Sequence, residues 1–254
     1  AIVLFQMMFA ATAVSIVSGA LAERMKLVPF FIFAVVLGAL IYPIQASWAW
    51  GGGILATNFG FSDLAGSTVV HAVGGMAALT GSLVLGARAG RYRNGVKVPM
   101  TSFNLPIATL GTLILWMGWF GFNAGSYLNF NTEADAANVS RILLNTHMAA
   151  AGGVIAAAFV SYVRTYQFDL TFMMNGALAG LVSITAEPLF PAPGMAVAIG
   201  MAGGVVLFWA FALLDALKID DVVGAIPVHL FCGTFGTMVV PLTNPSATFG
   251  GQAI

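Results

Sequence analysis

The chain has 254 residues, 59% of them hydrophobic and 7% charged, with 9 Lys+Arg against 9 Asp+Glu, and a mean hydropathy of +0.95. A water-solvated surface needs ~25% charged residues, so this composition excludes a soluble enzyme, a nucleic-acid binder with a basic field and a disordered tail, and points to a protein solvated by lipid. The one cysteine, Cys232, excludes a disulfide framework and a cysteine metal cage, and no cofactor is indicated.

In chain order, apolar runs fall at about Ala1–Leu21, Leu27–Ile44, Leu64–Ala87, Leu105–Ala124, Ile142–Val163, Leu170–Ala186, Met195–Leu217 and Ala225–Leu242. Each is long enough to cross ~30 Å of hydrocarbon at ~1.5 Å per residue. Backbone groups cannot face lipid unpaired, so the eight spans are expected to be helices. The expectation is an all-α polytopic membrane protein, 1–254 forming a single transmembrane domain. The first run begins with neither Met nor a basic n-region, so no cleavable leader is read there, and the chain is expected to be cut at both ends.

Numbering the loops alternately puts Arg24, Lys26, Arg88, Arg91, Arg93, Lys97, Arg164 and Lys218 on one side and Arg141 alone on the other. By the positive-inside rule the first side is cytoplasmic, and both ends of the chain lie outside the cell. A shifted span count would mix the cations, so the asymmetry also supports eight. Glycine pairs within the spans, such as Gly74-Gly75, Gly152-Gly153 and Gly203-Gly204, read as close helix packing.

The third and eighth spans share a pattern. Asp63, Gly66, Val70, His71 and Gly75 recur as Asp221, Gly224, Val228, His229 and Gly233, and the two histidines stand 158 residues apart. Five spans separate the copies, so the second must cross the membrane in the opposite direction: an inverted repeat, whose substrate sites lie near the midplane. Five-helix units would make 1–100 the last three helices of the first repeat and 101–254 the second.

His71 and His229 each lie about 12 Å along a helix from the aspartate that precedes it. The imidazoles thus approach the bilayer centre from opposite faces, where an ionisable group marks function. Asp63 is about 80° round the helix from His71, so it reads as a cap on the third span, and Asp221 likewise. His147 has no repeat partner and reads as structural.

Phe5 and Phe9 in the first span, Trp50 before Gly51-Gly52-Gly53, and Trp119 to Ser126 at the end of the fourth all lie toward the outer face. An interfacial belt explains such residues without a ligand and is the default reading; against it, Phe5 and Phe9 share one helix face, and phenylalanine lacks the polar handle that favours the belt. Aromatic faces in a vestibule attract a cation by ~1 to 2 kcal/mol each. Carrying that cation whole through an apolar lumen would cost on the order of tens of kcal/mol, whereas ammonium avoids the cost by leaving its proton behind and passing as NH3. Potassium has no such route.

Phe5-Gln6 with Phe9, Gly19-Ala20-Leu21-Ala22-Glu23-Arg24, Trp50-Gly51-Gly52-Gly53, Asp63-x-Ala65-Gly66-x-x-Val69-Val70-His71, Gly118 to Ser126 and Val228-His229 together resemble the ammonium transporters of the Amt/Mep/Rh family, on the Amt side. The resemblance covers essentially the whole chain. It implies an outer recruitment site at Phe5, Trp50 and Ser126 supported by Asp63, a stacked phenylalanine gate at Phe9 and Phe122, and twin pore histidines at His71 and His229. It further implies an eleven-helix subunit of which this chain would hold the third to tenth helices, a homotrimer, and a cytoplasmic regulatory partner. Leu64 stands where the family usually has an aromatic, and Gly224 where some members have a second acid. Trp50 argues against the Rh gas channels. The competing expectations are an ammonium sensor on the same fold and, weakly, an intramembrane enzyme, for which no nucleophile and base pair is found.

Overall fold

A computed structural model describes residues 2–254, so Ala1, the first residue of the first predicted span, lies outside the described residues. Among the described residues, six helices are long and apolar enough to cross a membrane: Ile2–Leu21, Leu27–Phe59, Ser67–Leu85, Leu105–Gly125, Glu133–Thr165 and Pro193–Ala216. Two shorter apolar helices, Leu170–Ile184 and Ile226–Leu242, complete the bundle. Each predicted run falls on one of these eight.

The elements in chain order are α1 (Ile2–Leu21), α2 (Leu27–Val36), α3 (Tyr42–Trp50), α4 (Ile54–Phe59), α5 (Val73–Leu85), a hairpin of β1 (Tyr92–Arg93) and β2 (Val96–Lys97), α6 (Leu105–Gly125), α7 (Glu133–Thr165), α8 (Leu170–Ile184), α9 (Pro193–Ala216), α10 (Cys232–Val239) and α11 (Phe249–Gln252). Wide π-type turns over Leu37–Ile41, Ser67–Ala72 and Ile226–Phe231 join α2 to α3 and lead into α5 and α10.

Several boundaries differ from the sequence expectation. The second span does not stop near Ile44, because the wide turn carries the helix on to Trp50. The fifth begins at Glu133, ahead of its apolar part: Thr132 and Asp135 form a reciprocal capping box, and two acids sit in the first turn, where the helix dipole favours them. The third span begins only at Ser67, since residues 63–66 form its cap.

The core sits where small residues let backbones meet. A Cβ at Gly153, Gly180 or Gly200 would collide with a carbonyl oxygen of Gly176 or Ala149, so α7, α8 and α9 touch backbone to backbone. In lipid this van der Waals contact replaces the hydrophobic drive that packs helices in water. The outward faces are apolar: Val3, Val28, Ile107, Phe159 and Trp209 are exposed, as lipid contact requires.

The helices that carry the repeated motif run antiparallel. Thr68, at the start of the first copy, shares a 2.6 Å hydrogen bond with Thr237, near the end of the second. The far end of the first copy meets the start of the second through Arg24, whose guanidinium donates to the carbonyls of Gly86 and Asp220. Gly75 faces Leu230 and Gly233 faces Ser67 and Ala72 at distances that admit no Cβ. The repeat is therefore a packed interface, and glycine is there because each helix buries its motif against the other.

Candidate functional site

Both copies start in the same way. Asp63 Oδ1 accepts from the backbone N–H groups of Gly66 and Ser67, and Oδ2 from Thr68 and Val69, at 2.8 to 3.0 Å. Asp221 repeats the device: Oδ1 accepts from Gly224 at 3.0 Å and Oδ2 from Ile226 at 2.6 Å. A carboxylate that takes the free N–H groups of a first turn also meets the positive end of the helix dipole. Gly66 and Gly224 have φ of +110° and +85°, a region closed to most side chains. This conformation lets the chain double back so that its N–H groups converge on the carboxylate.

Each cap then opens into a wide turn. In the first copy Gly66 O accepts from both Val70 N, at 3.0 Å, and His71 N, at 2.9 Å. Such turns distort the helix ladder and recur at functional sites. Here they bring the histidine rings together: His71 Nδ1 and His229 Nδ1 stand 3.1 Å apart, with the rings 17° from parallel. Two nitrogens at that distance need one proton between them. A neutral pair therefore has one ring donating through Nδ1–H and the other accepting, with the acceptor ring's proton on Nε2. His71 is buried and its Nε2 has no partner among the described residues, a costly state for a polar atom.

The aromatic residues form a file that continues from His71 away from His229. Phe122 lies 5.5 Å from His71 between ring centroids, Phe9 stacks on Phe122 at 4.2 Å and 23°, and Phe5 follows Phe9 at 4.6 Å. Phe9 is buried whereas Phe5 and Phe122 are half-buried. Trp50 meets Phe9 edge-on at 5.7 Å, and its indole Nε1–H donates to the Asp63 carbonyl at 2.7 Å. Ser126 Oγ donates to Phe122 O at 2.8 Å. The Asp63 carboxylate points into its own helix turn, so this residue reaches the aromatic group only through its backbone.

One residue beyond the predicted set joins the file. Trp119 stacks on His71 at 4.9 Å and 16° and lies 5.7 Å from Phe122. Its three-residue spacing from Phe122 puts both on one helical face, which was the available signal. His147 stands apart, exposed and in tilted contact with the rings of Trp116 and Phe120. Among the described residues no cluster of three or more His, Cys, Asp or Glu side chains is placed to hold a metal.

Antiparallel repeated helices that meet at paired polar side chains inside an apolar bundle define a polytopic membrane protein with the architecture of an inverted-repeat transporter. The family profile described as the Ammonium Transporter Family matches residues 1–248, and the chain belongs to that family. It is 43% identical over 246 residues to the ammonium transporter Amt2 of Archaeoglobus fulgidus, a match covering 93% of this chain and 52% of the relative. Among solved structures, one described as a Sensor Amt Protein superposes with a TM-score of 0.91 at 37% identity, covering 96% of this chain and 64% of the other. Candida albicans Mep2 superposes at 0.84 and 32% identity, covering 93% and 51%. The chain thus spans about half to two thirds of the length of these proteins.

Proposed function

We propose that the protein of which this chain is a part conducts ammonium across the cell membrane. NH4+ is recruited at the outer aromatic group and NH3 passes the histidine pair, with H+ moving separately along the imidazoles. The observation that carries this reading is the continuous file Phe5, Phe9, Phe122, His71, His229, in which the buried Nε2 of His71 has no partner among the described residues.

The chemistry follows from the ring types. Phe5 and Trp50 offer π faces that attract a cation partly stripped of water, and Ser126 adds a hydroxyl oxygen beside them. Phe9 and Phe122 close the way with apolar rings, where a charge is expensive and a neutral molecule is not. Beyond them, neutral NH3 finds hydrogen-bond partners in the imidazoles, whose free Nε2 atoms supply one donor and one acceptor when the pair shares its Nδ1 proton. Asp63 supports this site by holding Trp50 and the first turn before His71.

A second reading, an ammonium sensor, is favoured by the similarity to the structure described as a sensor. The trimer and a cytoplasmic regulatory partner belong to the same proposal, as does the placement of the basic loops inside the cell.

The test is growth of a host lacking its own ammonium transporters on limiting ammonium, with the natural full-length protein expressed. Wild type is expected to restore growth, and His71→Ala and Phe122→Ala to change it at equal membrane abundance. Growth no better than the empty host, with ammonium still bound by purified protein and binding weakened in Trp50→Ala, would replace transport by sensing.

A further inference from the structure

The Trp119 indole is held by a contact outside the pore. Its Nε1–H donates to Thr185 Oγ at 2.8 Å. Thr185 Oγ in turn donates to Leu181 O at 2.7 Å. A hydroxyl has one proton and two lone pairs, so sending the proton to Leu181 fixes a lone pair toward the indole, which can only donate. Thr185 is fully buried and Trp119 is nearly so, and among the described residues no other hydrogen bond engages either polar atom.

The same turn holds a second part of the site. Thr185 O accepts from Ala65 N at 3.2 Å, and Ala186 O from Leu64 N at 2.8 Å. These are the residues that follow Asp63, whose carbonyl holds Trp50. One short segment at the end of α8 therefore fixes the indole against His71 through a side chain, and the outer cap through its backbone.

We propose that Thr185 is a positioning residue for conduction: its hydroxyl sets the angle of Trp119 against His71, and with it the width and polarity of the path at the first histidine. The proposal rests on reading the aromatic and histidine file as that path. Thr185→Val keeps the shape and removes the acceptor, leaving a buried indole N–H that must turn to find another. Thr185→Ser keeps the acceptor.

The test measures initial uptake of ammonium and of methylammonium, one methyl larger, in proteoliposomes holding the full-length protein. Variants are compared at equal reconstitution and with melting temperatures recorded. An orphaned buried donor is expected to lower ammonium uptake by Thr185→Val about threefold to tenfold and to shift the methylammonium-to-ammonium ratio, which mere loss of folded protein would leave unchanged. Thr185→Ser is expected to match wild type. Trp119→Phe is expected to shift the same ratio, and the double variant Thr185→Val with Trp119→Phe to go no further than either single change.

A Thr185→Val protein with wild-type rate and ratio would overturn the proposal, as would losses that multiply in the double variant. If Thr185→Val does not fold, Trp119→Phe alone decides, an unchanged ratio overturning the proposal and a shifted one supporting it. A wild type that moves no ammonium would instead overturn the transport reading itself, and the positioning role with it.

Discussion

Asp63 shows how one side chain organises a site it does not line. Its two oxygens hold four backbone N–H groups, and its carbonyl holds Trp50. The capping role was legible in the sequence because eight helical positions keep an aspartate away from the histidine that follows it. Hydrogen bonds to a buried charge contribute about 1.5 to 3 kcal/mol each, and Asp63→Asn replaces one accepting oxygen by an amide that faces two donors. The variant is expected to lose about 2 kcal/mol or more of stability, read as a lower melting temperature of purified protein, whereas Asp221→Asn should cost less because fewer donors depend on it. Equal melting of wild type and Asp63→Asn would contradict this account. Trp119, by contrast, was visible only as part of an aromatic run: its stacking on His71 depends on how α6 crosses the wide turn at Ser67–Ala72, and a one-dimensional pattern carries no crossing geometry.

At the scale of elements, the spans were legible from hydropathy and the antiparallel pairing from the Asp and His spacing. The capping box that lengthens α7, the wide turns, the short α4 and the β1–β2 hairpin were not, because each is decided by local polar contacts that hydropathy does not register. The glycines of α8 and α9 were readable as packing residues but not as to partner. Gly200→Leu would drive a side chain into the Ala149 carbonyl, and is expected to cut the yield of folded protein in detergent severalfold, while the same change at Gly118, where a Cβ meets nothing, should leave it unaltered. Comparable yields for the two would show that α7 and α9 do not depend on this contact.

The end of the first repeated helix and the start of the second are joined by a buried charge cluster. Asp220 accepts from Arg88 Nε at 2.8 Å and pairs with Arg91 Nε at 3.2 Å, fixing the start of the span that carries His229. Burial alone would raise the Asp220 carboxyl, but the hydrogen bonds and charge of Arg88, with Arg24 beyond, outweigh it and hold the group below its ordinary value. A folded-state pKa below the unfolded one, ~3.9 for aspartate, adds stability that is present above that value and lost as pH falls through and below it. Thermal stability should therefore fall on acidification below about pH 4, and less steeply in Asp220→Asn. An equally steep fall in both would place the acid sensitivity elsewhere.

For the whole molecule, the proposed orientation rests on the uneven division of cations between loops, and the structure gathers Arg24, Arg88, Arg91 and Lys97 at one end of the bundle through Asp220 and Asp215. In a Cys232→Ser background, Val96→Cys should react with an impermeant thiol reagent only after cells are opened, and Phe130→Cys in intact cells, both positions being exposed. The reverse pattern would invert the assignment of the two faces. What crosses between those faces is read from the current on a solid-supported membrane bearing proteoliposomes of the full-length protein, pulsed with ammonium and then with potassium. A transient current to ammonium alone is expected, changed by His71→Ala and by Phe122→Ala. Equal currents to potassium would contradict the deprotonation reading, because an ion with no proton to shed would then be crossing the same apolar path.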